Sequence, residues 1–412
     1  QKSTCFITRG LGRSYGDAAQ LKDDVVLNLN LTKAIKVSGD EVTVGSDVSI
    51  SEILKVIVPL GYILPVLPGS ANITIGGAIA ADVHGKNHHK FGSIGNHISR
   101  ILVIDGKGEF VELKPQSNDF KDKNNFFYAT IGGMGLTGVI IEATIRMIKI
   151  QTSFIKVDTY VCDQLDSLMD LMRKKDKEYS YSVAWIDSLH KKGRGVITCG
   201  EHAMPNDLNN NYSNILDYDS TNRISTPKFI PDGILNKFTV KAFNEIWFQK
   251  SIRMDKNIQT ISQFFHPLDG LRNWNRIYGS KGFYQYQFVI PDNKSYFIQT
   301  TLDRLKKSSA YSFLTVLKRF GKSNEAFLSF PEPGWTLAID LPAHNKNILL
   351  VLEELDKELS SLGGKLYLAK DLRQTSEMFK STYSLYPKWR SFKYEMDPFN
   401  IFQSDLSRRL RI

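Results

Sequence analysis

The stretch Pro65-Val-Leu-Pro-Gly-Ser-Ala-Asn-Ile-Thr-Ile-Gly-Gly-Ala-Ile-Ala-Ala-Asp-Val-His-Gly-Lys-Asn-His-His89 decides how this chain is read. Pro65 and Pro68 stiffen its start. Gly69, Gly76 and Gly77 follow, where backbone N–H groups can approach a ligand with no Cβ in between. The small apolar run 76–81 predicts a short, tightly packed helix with Thr74 as its cap. A helix N-terminus behind glycines suits an anionic group, typically a pyrophosphate. His84, Lys86, Asn87, His88 and His89 come directly after it, polar chemistry that is costly to place beside a buried segment. A glycine-rich turn followed by a solvated basic loop accounts for the same residues, and this stretch alone does not separate the two.

A second glycine loop, Arg9-Gly-Leu-Gly-Arg-Ser-Tyr-Gly-Asp17, follows a strand-like Cys5-Phe-Ile-Thr8. It approaches a dinucleotide-binding fingerprint but is not one. Its glycines at 10, 12 and 16 are spaced one residue too long, and no clear βαβ unit with an acidic residue follows. Three glycines, two arginines and a hydroxyl in one loop still suit a phosphate. A third glycine-dense segment, Phe127-Tyr-Ala-Thr-Ile-Gly-Gly-Met-Gly-Leu-Thr-Gly-Val-Ile-Ile141, runs into a strand expected over 139–148. A close helix–strand crossing explains its glycines as well as a ligand contact does. Together the three loops imply one extended cofactor with several backbone-lined contacts.

At 412 residues the chain is too long for one ordinary core, so two domains are expected. A composition 42% hydrophobic and 23% charged is that of a soluble globular protein. The net charge of +10 fits an acidic substrate, an anionic membrane surface or nucleic acid, and its sign alone does not choose. No apolar run approaches transmembrane length, and residues 1–8 lack the pattern of a signal peptide. Cys5, Cys162 and Cys199 are odd in number and scattered. They give no disulfide framework and no zinc signature, and are expected to be reduced core residues.

Residues 25–29, 34–37 and 41–44 read as strands, with Ser38-Gly-Asp40 as a hairpin turn. Residues 49–61 read as a capped helix that stops near Pro59 and Gly61. A second hairpin is expected from 101–104 and 109–113. Composition changes near Ile150. Residues 165–172 carry apolar side chains at helical spacing, and 180–187 and 195–199 read as strands. Residues 202–232 are polar and Asn-rich, as in a mobile loop or lid. Residues 243–291 are densely aromatic. Within them, 283–291 form a strand with Gln285 and Gln287 on one face and Tyr284, Tyr286 and Phe288 on the other. Two such glutamines suit sugar hydroxyls, although a solvated sheet face has the same pattern. Ile348, Leu352, Leu355, Leu359 and Leu362 mark another amphipathic helix, stopped by Gly363 and Gly364, before a strand over 365–373 that ends in charge.

Several of these motifs together carry a family resemblance. Arg9-Gly-Leu-Gly-Arg-Ser-Tyr-Gly-Asp17, Pro68-Gly69, Thr74-Ile-Gly-Gly77, His84-Gly-Lys-Asn-His-His89, Gly135-Leu-Thr-Gly138 and Ala369-Lys-Asp371 resemble the decaprenylphosphoryl-β-D-ribose 2-oxidase family of the vanillyl-alcohol-oxidase-like FAD proteins. The resemblance continues through Trp274-Asn-Arg276, residues 285–291, 330–335 and Asp340. It reaches Asp397-Pro-Phe-Asn-Ile-Phe402 and Ser404-Asp-Leu-Ser-Arg-Arg-Leu410, and it implies family residues before Gln1. The implied fold is α+β, a two-domain FAD-binding fold of the vanillyl-alcohol oxidase type with a mixed-sheet substrate (cap) domain. FAD would lie in 1–150, the substrate domain would span 151–364, and 365–412 would return to the FAD-binding domain.

FAD contacts are then implied for Arg9, Gly10, Leu11, Gly12, Arg13, Ser14, Tyr15, Gly16 and Asp17. Others fall to Gly69, Thr74, Ile75, Gly76 and Gly77, to His84, Gly85, Lys86 and Asn87, and to Ile140 and Tyr367. Many relatives in the wider superfamily bond FAD covalently through the His of a Gly-x-Gly-His-Ser loop. Here Gly10-Leu-Gly-Arg-Ser14 puts Arg13 in that place, so non-covalent FAD is expected. The implied reaction takes the 2-hydroxyl of a polyprenyl-phosphoryl-ribose to the 2-keto intermediate, the first half of a ribose-to-arabinose epimerisation for cell-wall precursors. Its catalytic residues would be Lys370, matching the family's active-site lysine, with Tyr15 and His84. Lys86, Trp185, Phe265, Gln285, Gln287, Lys318, Thr336 and Ala338 would meet the substrate, Lys86 and Lys318 at its phosphate. His84 and His88 have the i,i+4 spacing of a zinc pair, but Gly85 argues against a helix and no carboxylate third ligand is apparent, so no metal is expected.

The sequence also departs from the family pattern. Phe265 stands where the best-known members have Tyr, Val183 where they have Ser, Thr336 where they have Asn, and Ala338 where they have an inhibitor-reactive Cys. These changes touch the sugar pocket and put the identity of the sugar and lipid in question, not FAD binding. The resemblance further implies a companion NAD(P)H-dependent short-chain reductase, no nucleic-acid partner, and a peripheral place at the inner membrane of a bacterial cell envelope. An FAD-dependent oxidase of a free sugar, alditol or aldonolactone would use the same flavin chemistry. A non-enzymatic basic protein binding nucleic acid or acidic lipid would hold no flavin.

Overall fold

The computed structural model describes residues 4–115, 125–208, 214–219, 224–227, 230–231, 233–254, 256–345 and 347–412. Its first half starts with β1 (Phe6–Arg9), paired in parallel with β2 (Val25–Asn28). β3 (Ile35–Ser38) and β4 (Glu41–Gly45) form the expected hairpin, with Gly39 at φ 59°, where a side chain would be strained. α1 (Ile50–Ile57) has the expected N-cap: Ser49 accepts from the Glu52 amide, and Glu52 accepts from the Ser49 amide. It ends before Pro59, and Gly61 at φ 79° turns the chain into β5 (Tyr62–Ile63). α2 (Ile75–Ala80) is capped by Thr74, whose hydroxyl accepts from Gly77 N at 3.3 Å. α3 (His88–Phe91), β6 (Ile98–Ile104), β7 (Phe110–Leu113), α4 (Asn125–Thr130), β8 (Val139–Arg146) and β9 (Ile148–Lys149) follow. The strand expected over 139–148 is broken at Met147, and β9 pairs with β5 instead.

Five of these strands form one sheet in the order β3-β4-β8-β6-β7. Val42 and Val44 alternate inward on β4 and pack with Ile53 and Leu54 of α1, Ile75 and Ile79 of α2, and Ala143 and Ile145 of β8. Burying each branched side chain contributes about 1.5–3 kcal/mol, so this core holds both short helices against the sheet. The glycines of 132–138 are explained by close crossings. A Cβ on Gly133 would lie 2.2 Å from the Ala129 carbonyl oxygen, and one on Gly138 2.8 Å from that of Ile104.

The second half consists of β10 (Phe154–Cys162), α5 (Leu165–Glu178), β11 (Tyr181–Ile186), β12 (Gly195–His202), β13 (Ile224–Ser225), α6 (Lys237–Ile252), β14 (Lys256–Thr260), α7 (Ile261–Phe265), β15 (Leu271–Arg272), β16 (Phe283–Ile290), α8 (Tyr296–Lys307), β17 (Thr315–Phe320), β18 (Gly334–Pro342) and α9 (Ile348–Ser361). With β19 (Lys365–Leu366), an eight-stranded sheet runs in the order β14-β10-β12-β11-β17-β18-β16-β19. The sheet expected to be mixed is antiparallel at every pairing. The helical crossovers β10-α5-β11, β16-α8-β17 and β18-α9-β19 each join strands that run the same way, but each leaves a gap that one antiparallel strand fills, β12, β18 and β16 in turn. One face carries α5, α8 and α9 over Leu168, Ile197, Phe288, Leu337 and Leu352. The expected lid at 202–232 falls largely outside the described residues; of its described part, β13 pairs in parallel with β15.

β19 belongs to the second sheet, so the return to the first half begins after Leu366 rather than after Gly364. The return includes α10 (Ser376–Thr382), α11 (Tyr386–Met396) and α12 (Asp405–Leu410). Trp389 of α11 donates from Nε1 to the Ala129 carbonyl at 2.9 Å, and Phe402 lies edge-on to Phe6 at 5.1 Å. Arg409 of α12 donates to Asp17 at 2.7 and 2.9 Å and to Asp371 at 3.0 Å, clamping the N-terminal loop, the return and the last helix together. Cys162 and Cys199 are core residues as expected, whereas Cys5 is only half-buried.

Arg409→Met leaves two buried carboxylates without their counter-ion. We expect it to lower stability by about 3 kcal/mol, the scale of breaking a buried ion pair from one side. Chemical denaturation followed by fluorescence measures this, and a loss below about 1 kcal/mol would show that the clamp does not hold the termini.

Candidate active site

Three segments meet on the first-half side of the site. The 9–17 loop packs directly on the second glycine stretch: a Cβ on Gly10 would lie 2.1 Å from Thr74 Oγ1, and Arg13 Nε donates to the Asn72 carbonyl at 3.2 Å. The same loop packs on the C-terminal return. Tyr15 N donates to the Ala369 carbonyl at 2.9 Å, and a Cβ on Gly16 would lie 1.9 Å from the Asp371 carbonyl oxygen. Among the described residues, the amides of Leu11, Gly12, Arg13 and Ser14 have no acceptor in the protein, nor do those of Gly69 and Ser70, while a Cβ on Gly69 would meet nothing within 4 Å. These are the donors a bound phosphate can use.

The N-terminus of α2 is not such a donor, contrary to the sequence expectation. Ile75 N already donates to the Val48 carbonyl at 2.8 Å, Gly76 N to that of Ser46 at 2.9 Å, and Gly77 N to the Thr74 hydroxyl at 3.3 Å. A two-turn helix with its first amides spent leaves the neighbouring loops to hold an anion.

The opposite wall is the face of the eight-stranded sheet turned away from α5, α8 and α9. Register sets one cross-strand row: Trp185 of β11 opposite Val316 of β17, Val316 opposite Ala338 of β18, and Ala338 opposite Gln287 of β16. Beside it, Lys318 stands opposite Thr336, and Gln285 opposite Asp340. Alternation along each strand does this, sending Phe288, Leu337 and Leu317 to the helices and the polar residues to the cleft. Gln287 Nε2 donates to Thr336 Oγ1 at 3.3 Å and to His84 Nε2 at 3.1 Å, which assigns the imidazole proton to Nδ1. His84 is boxed by Phe320, Phe330 and Tyr367, at ring distances of 4.8, 5.7 and 5.3 Å. Its Nδ1 and the Asn87 side-chain oxygen are buried without a partner in the protein, a demand that a bound group would meet.

Lys370 lies on the turn after β19, with Nζ 3.4 Å from the centre of the Tyr15 ring. Lys86 Nζ donates to the Phe264 carbonyl and sits 4.2 Å from that ring's centre. Lys86, Lys318 and Lys370 are surrounded by protein yet each keeps accessible surface, as side chains lining a cleft do. Burial pushes all three ammonium groups down, Lys86 and Lys370 to about 7 and Lys318 to about 8, and Lys318 lowers the other two further. For Lys370 the Asp340 carboxylate opposes that fall. Burial raises Asp340 itself to about 6, against hydrogen bonds from Gln285 and Tyr278 and the charge of Lys370. His84 is held well below the usual histidine range by burial, then by Lys318, His88 and Lys370, and is neutral at pH 7. His88 Nδ1 accepts from the Gly321 amide at 3.1 Å.

The structure thus brings Tyr15, His84, Lys86, Trp185, Gln285, Gln287, Lys318, Ala338 and Lys370 around one cleft, whereas Thr336, expected to meet the substrate, is 1% exposed and bears on the cleft only through Gln287. Further expectations are corrected. Both oxygens of Asp17 are taken by Arg409, so this carboxylate is structural. Ile75 is fully buried with its amide spent. Phe265 is 2% exposed, packed against Tyr181 and Phe264 at 4.9 Å each, and presents almost no surface to a ligand. Ile140 is likewise a core side chain and offers only its main chain. Tyr367 stacks on Phe330 at 4.6 Å and donates to the Ala81 carbonyl at 2.9 Å, steadying His84 from behind.

Sequence reasoning assigned no role to three carboxylates. Asp340 was visible as an acidic residue inside the apolar strand Leu337-Ala-Ile-Asp-Leu341. Asp269, just after α7, accepts from Ser70 Oγ and Ala71 N at 2.7 Å each, fixing the Gly69 loop from the other half of the molecule. Asp82 is fully buried and accepts from Ser93, Gly95, Asn324 and Ser329, which ties α2 to the segment before β18. Neither of the last two carries a local sequence signal.

Residues 1–114 match the model of an FAD binding domain. The chain is 39% identical to decaprenylphosphoryl-β-D-ribose oxidase of Mycolicibacterium smegmatis, over 98% of this chain and 89% of that protein. It is 28% identical over 88% of its length to an uncharacterised protein of Streptomyces coelicolor, all of which is covered. A D-arabinono-1,4-lactone oxidase of Eremothecium gossypii is 26% identical over 36% of this chain and 28% of its own length. The unspent amides of 11–14 and 69–70, the glycine cradle and the partnerless atoms of His84 and Asn87 fit FAD as the cofactor. With a relative of this identity along both halves, the chain belongs to the decaprenylphosphoryl-β-D-ribose oxidase family of FAD-dependent oxidoreductases.

Proposed function

We propose that this chain oxidises the 2-hydroxyl of a polyprenyl-phosphoryl-ribose to the 2-keto sugar, the first half of a ribose-to-arabinose epimerisation that supplies arabinan precursors for the cell wall. The observation that carries this reading is the cationic cleft of Lys86, Lys318 and Lys370 beside Gln285 and Gln287. A free sugar, alditol or lactone brings no charge to set against three buried ammonium groups, whereas a phosphodiester does. The lactone oxidase likeness covers about a third of the chain, which speaks for a shared cofactor rather than a shared substrate.

FAD, when bound, supplies the two-electron acceptor. The chain must bind the sugar phosphate, orient the C2–H and take the hydroxyl proton. Lys318 and Lys86 serve the phosphate. Trp185, with Nε1 held by the Phe313 carbonyl at 2.9 Å, presents a fixed aromatic face to the sugar. Gln287 is oriented by Thr336 and His84, and Gln285 by Asp340. Lys370, at about 7, is half neutral near physiological pH and takes the hydroxyl proton at Nζ. The ammonium group so formed would also be available to balance negative charge on a bound cofactor. The 2-keto product needs a reductase to complete the epimerisation, and an NAD(P)H-dependent short-chain enzyme is the fitting partner. No helix among the described residues is long and apolar enough to cross a membrane. The lipid-borne substrate itself is what motivates a peripheral place at the inner membrane of a bacterial envelope.

Anaerobic mixing tests the reading: polyprenyl-phosphoryl-ribose should bleach the flavin, and free pentoses and alditols should not. Lys370→Ala should keep its FAD and slow that bleaching at least ~100-fold, the scale of a positioned proton acceptor. A near wild-type rate would remove Lys370 from the mechanism. Arg13 occupies the place of a linking histidine and is engaged by Asn72, so FAD should be non-covalent. Acid precipitation should leave all flavin in the supernatant, and colour on the precipitated polypeptide would contradict this.

A further inference from the structure

α6 is apolar on two sides, and the described residues cover only one of them. Val240, Asn244, Phe248 and Ser251 are its buried residues, a single strip of a 16-residue helix resting on β10 and β12. Away from that strip Phe238 is 82% exposed, Ile246 69% and Phe243 44%. A helix that is apolar all round is normally covered all round. Basic residues surround the open face: Lys237, Lys241, Lys250 and Arg253. The helix's one acid, Glu245, is already paired with Arg194 at 2.7 Å. Apolar side chains flanked by lysines are what an interfacial helix presents to lipid headgroups.

The open face is also continuous with the active site. Phe243 meets Phe313 at a ring distance of 5.4 Å, Phe313 stacks near Tyr278 at 5.7 Å, and Tyr278 stacks on Phe283 at 4.2 Å. Phe283 meets Tyr15 at 5.5 Å, and Tyr15 carries Lys370 at 3.4 Å. An unbroken line of aromatic rings leads from the surface helix to the catalytic lysine. We propose that the outer face of α6 docks on an anionic lipid bilayer, and that the polyprenyl chain of the substrate runs from the bilayer to the sugar site along Phe243, Phe313 and Phe283, the rings of this line that keep accessible surface, with buried Tyr278 backing them. The proposal rests on the lipid-substrate reading above and names the surface that reading requires.

Flotation of the FAD-loaded protein with vesicles tests it. The protein should float with phosphatidylcholine vesicles containing phosphatidylglycerol, less with phosphatidylcholine alone, and Trp247 on α6 should shift its fluorescence to the blue. The double variant Phe238→Asp, Ile246→Asp changes only exposed side chains. It should lose at least ~10-fold in vesicle affinity, since each aspartate places a charge where an apolar group would enter lipid. Its FAD content should be unchanged, as should its rate of flavin reduction by a short-chain, water-soluble phosphoribose, while reduction by vesicle-borne long-chain substrate falls. Three results would overturn the proposal: wild-type protein that stays with the aqueous phase, a double variant that floats as well as wild type, or a dimer that the double variant abolishes, which would make a second copy the occupant. Flavin that neither chain length reduces would instead defeat the substrate reading, and the flotation result would stand on its own.

Discussion

The hydrogen bond from the Tyr15 amide to the Ala369 carbonyl is the contact on which the rest depends. It joins the first loop of the chain to the segment that returns after the second sheet, with Gly16 pressed against the Asp371 carbonyl and no room for a side chain between them. Tyr367 N in turn donates to the Gln287 carbonyl at 3.0 Å, so the same turn is registered against the sheet that bears the polar residues of the cleft. Lys370 therefore takes its place over Tyr15 only when both halves of the molecule and the C-terminal return are folded together. Asp17, Arg409 and Asp371 hold that arrangement from the outside.

The site is electrostatically costly. Burial disfavours the ammonium form of three lysines at once, and Lys318 lowers the proton affinity of the other two further. Asp340 is the counterweight nearest Lys370, and it is itself shifted upward by burial, so the two groups titrate close together near neutrality. A bound phosphate would favour the charged forms of Lys86 and Lys318 and leave the proton-accepting position of Lys370 under the control of Asp340. Neutral His84 fits this division, because a charged imidazole among three lysines would add repulsion without adding recognition.

Much of this was legible in the sequence wherever the signal was local. The Ser38-Gly-Asp40 turn, the Ser49 and Thr74 caps and the alternation of Gln285 and Gln287 against Phe288 follow from short-range chemistry and stand in the structure. Non-local facts were not legible. The sheet expected to be mixed is antiparallel because pairing is decided by how distant strands meet. The amides of α2 look free in sequence, yet Val48 and Ser46 carbonyls have claimed two of them. Asp269 and Asp82 act on loops far from them in the chain, and α6 hid because apolar residues on both of its sides erase the periodicity that marks an amphipathic helix.

The central claim is that a lysine brought down to near neutrality by burial, against the opposing pull of Asp340, takes the proton of the alcohol. The pH dependence of kcat/KM for flavin reduction tests it most directly, because that ratio reports the free enzyme. Activity should rise as pH passes through about 7, where Lys370 loses its proton, and level off above it. In Asp340→Asn the carboxylate that holds the Lys370 proton is gone, so the rising limb should move to lower pH. A limb that falls with pH, or one that Asp340→Asn leaves in place or moves upward, would contradict the account.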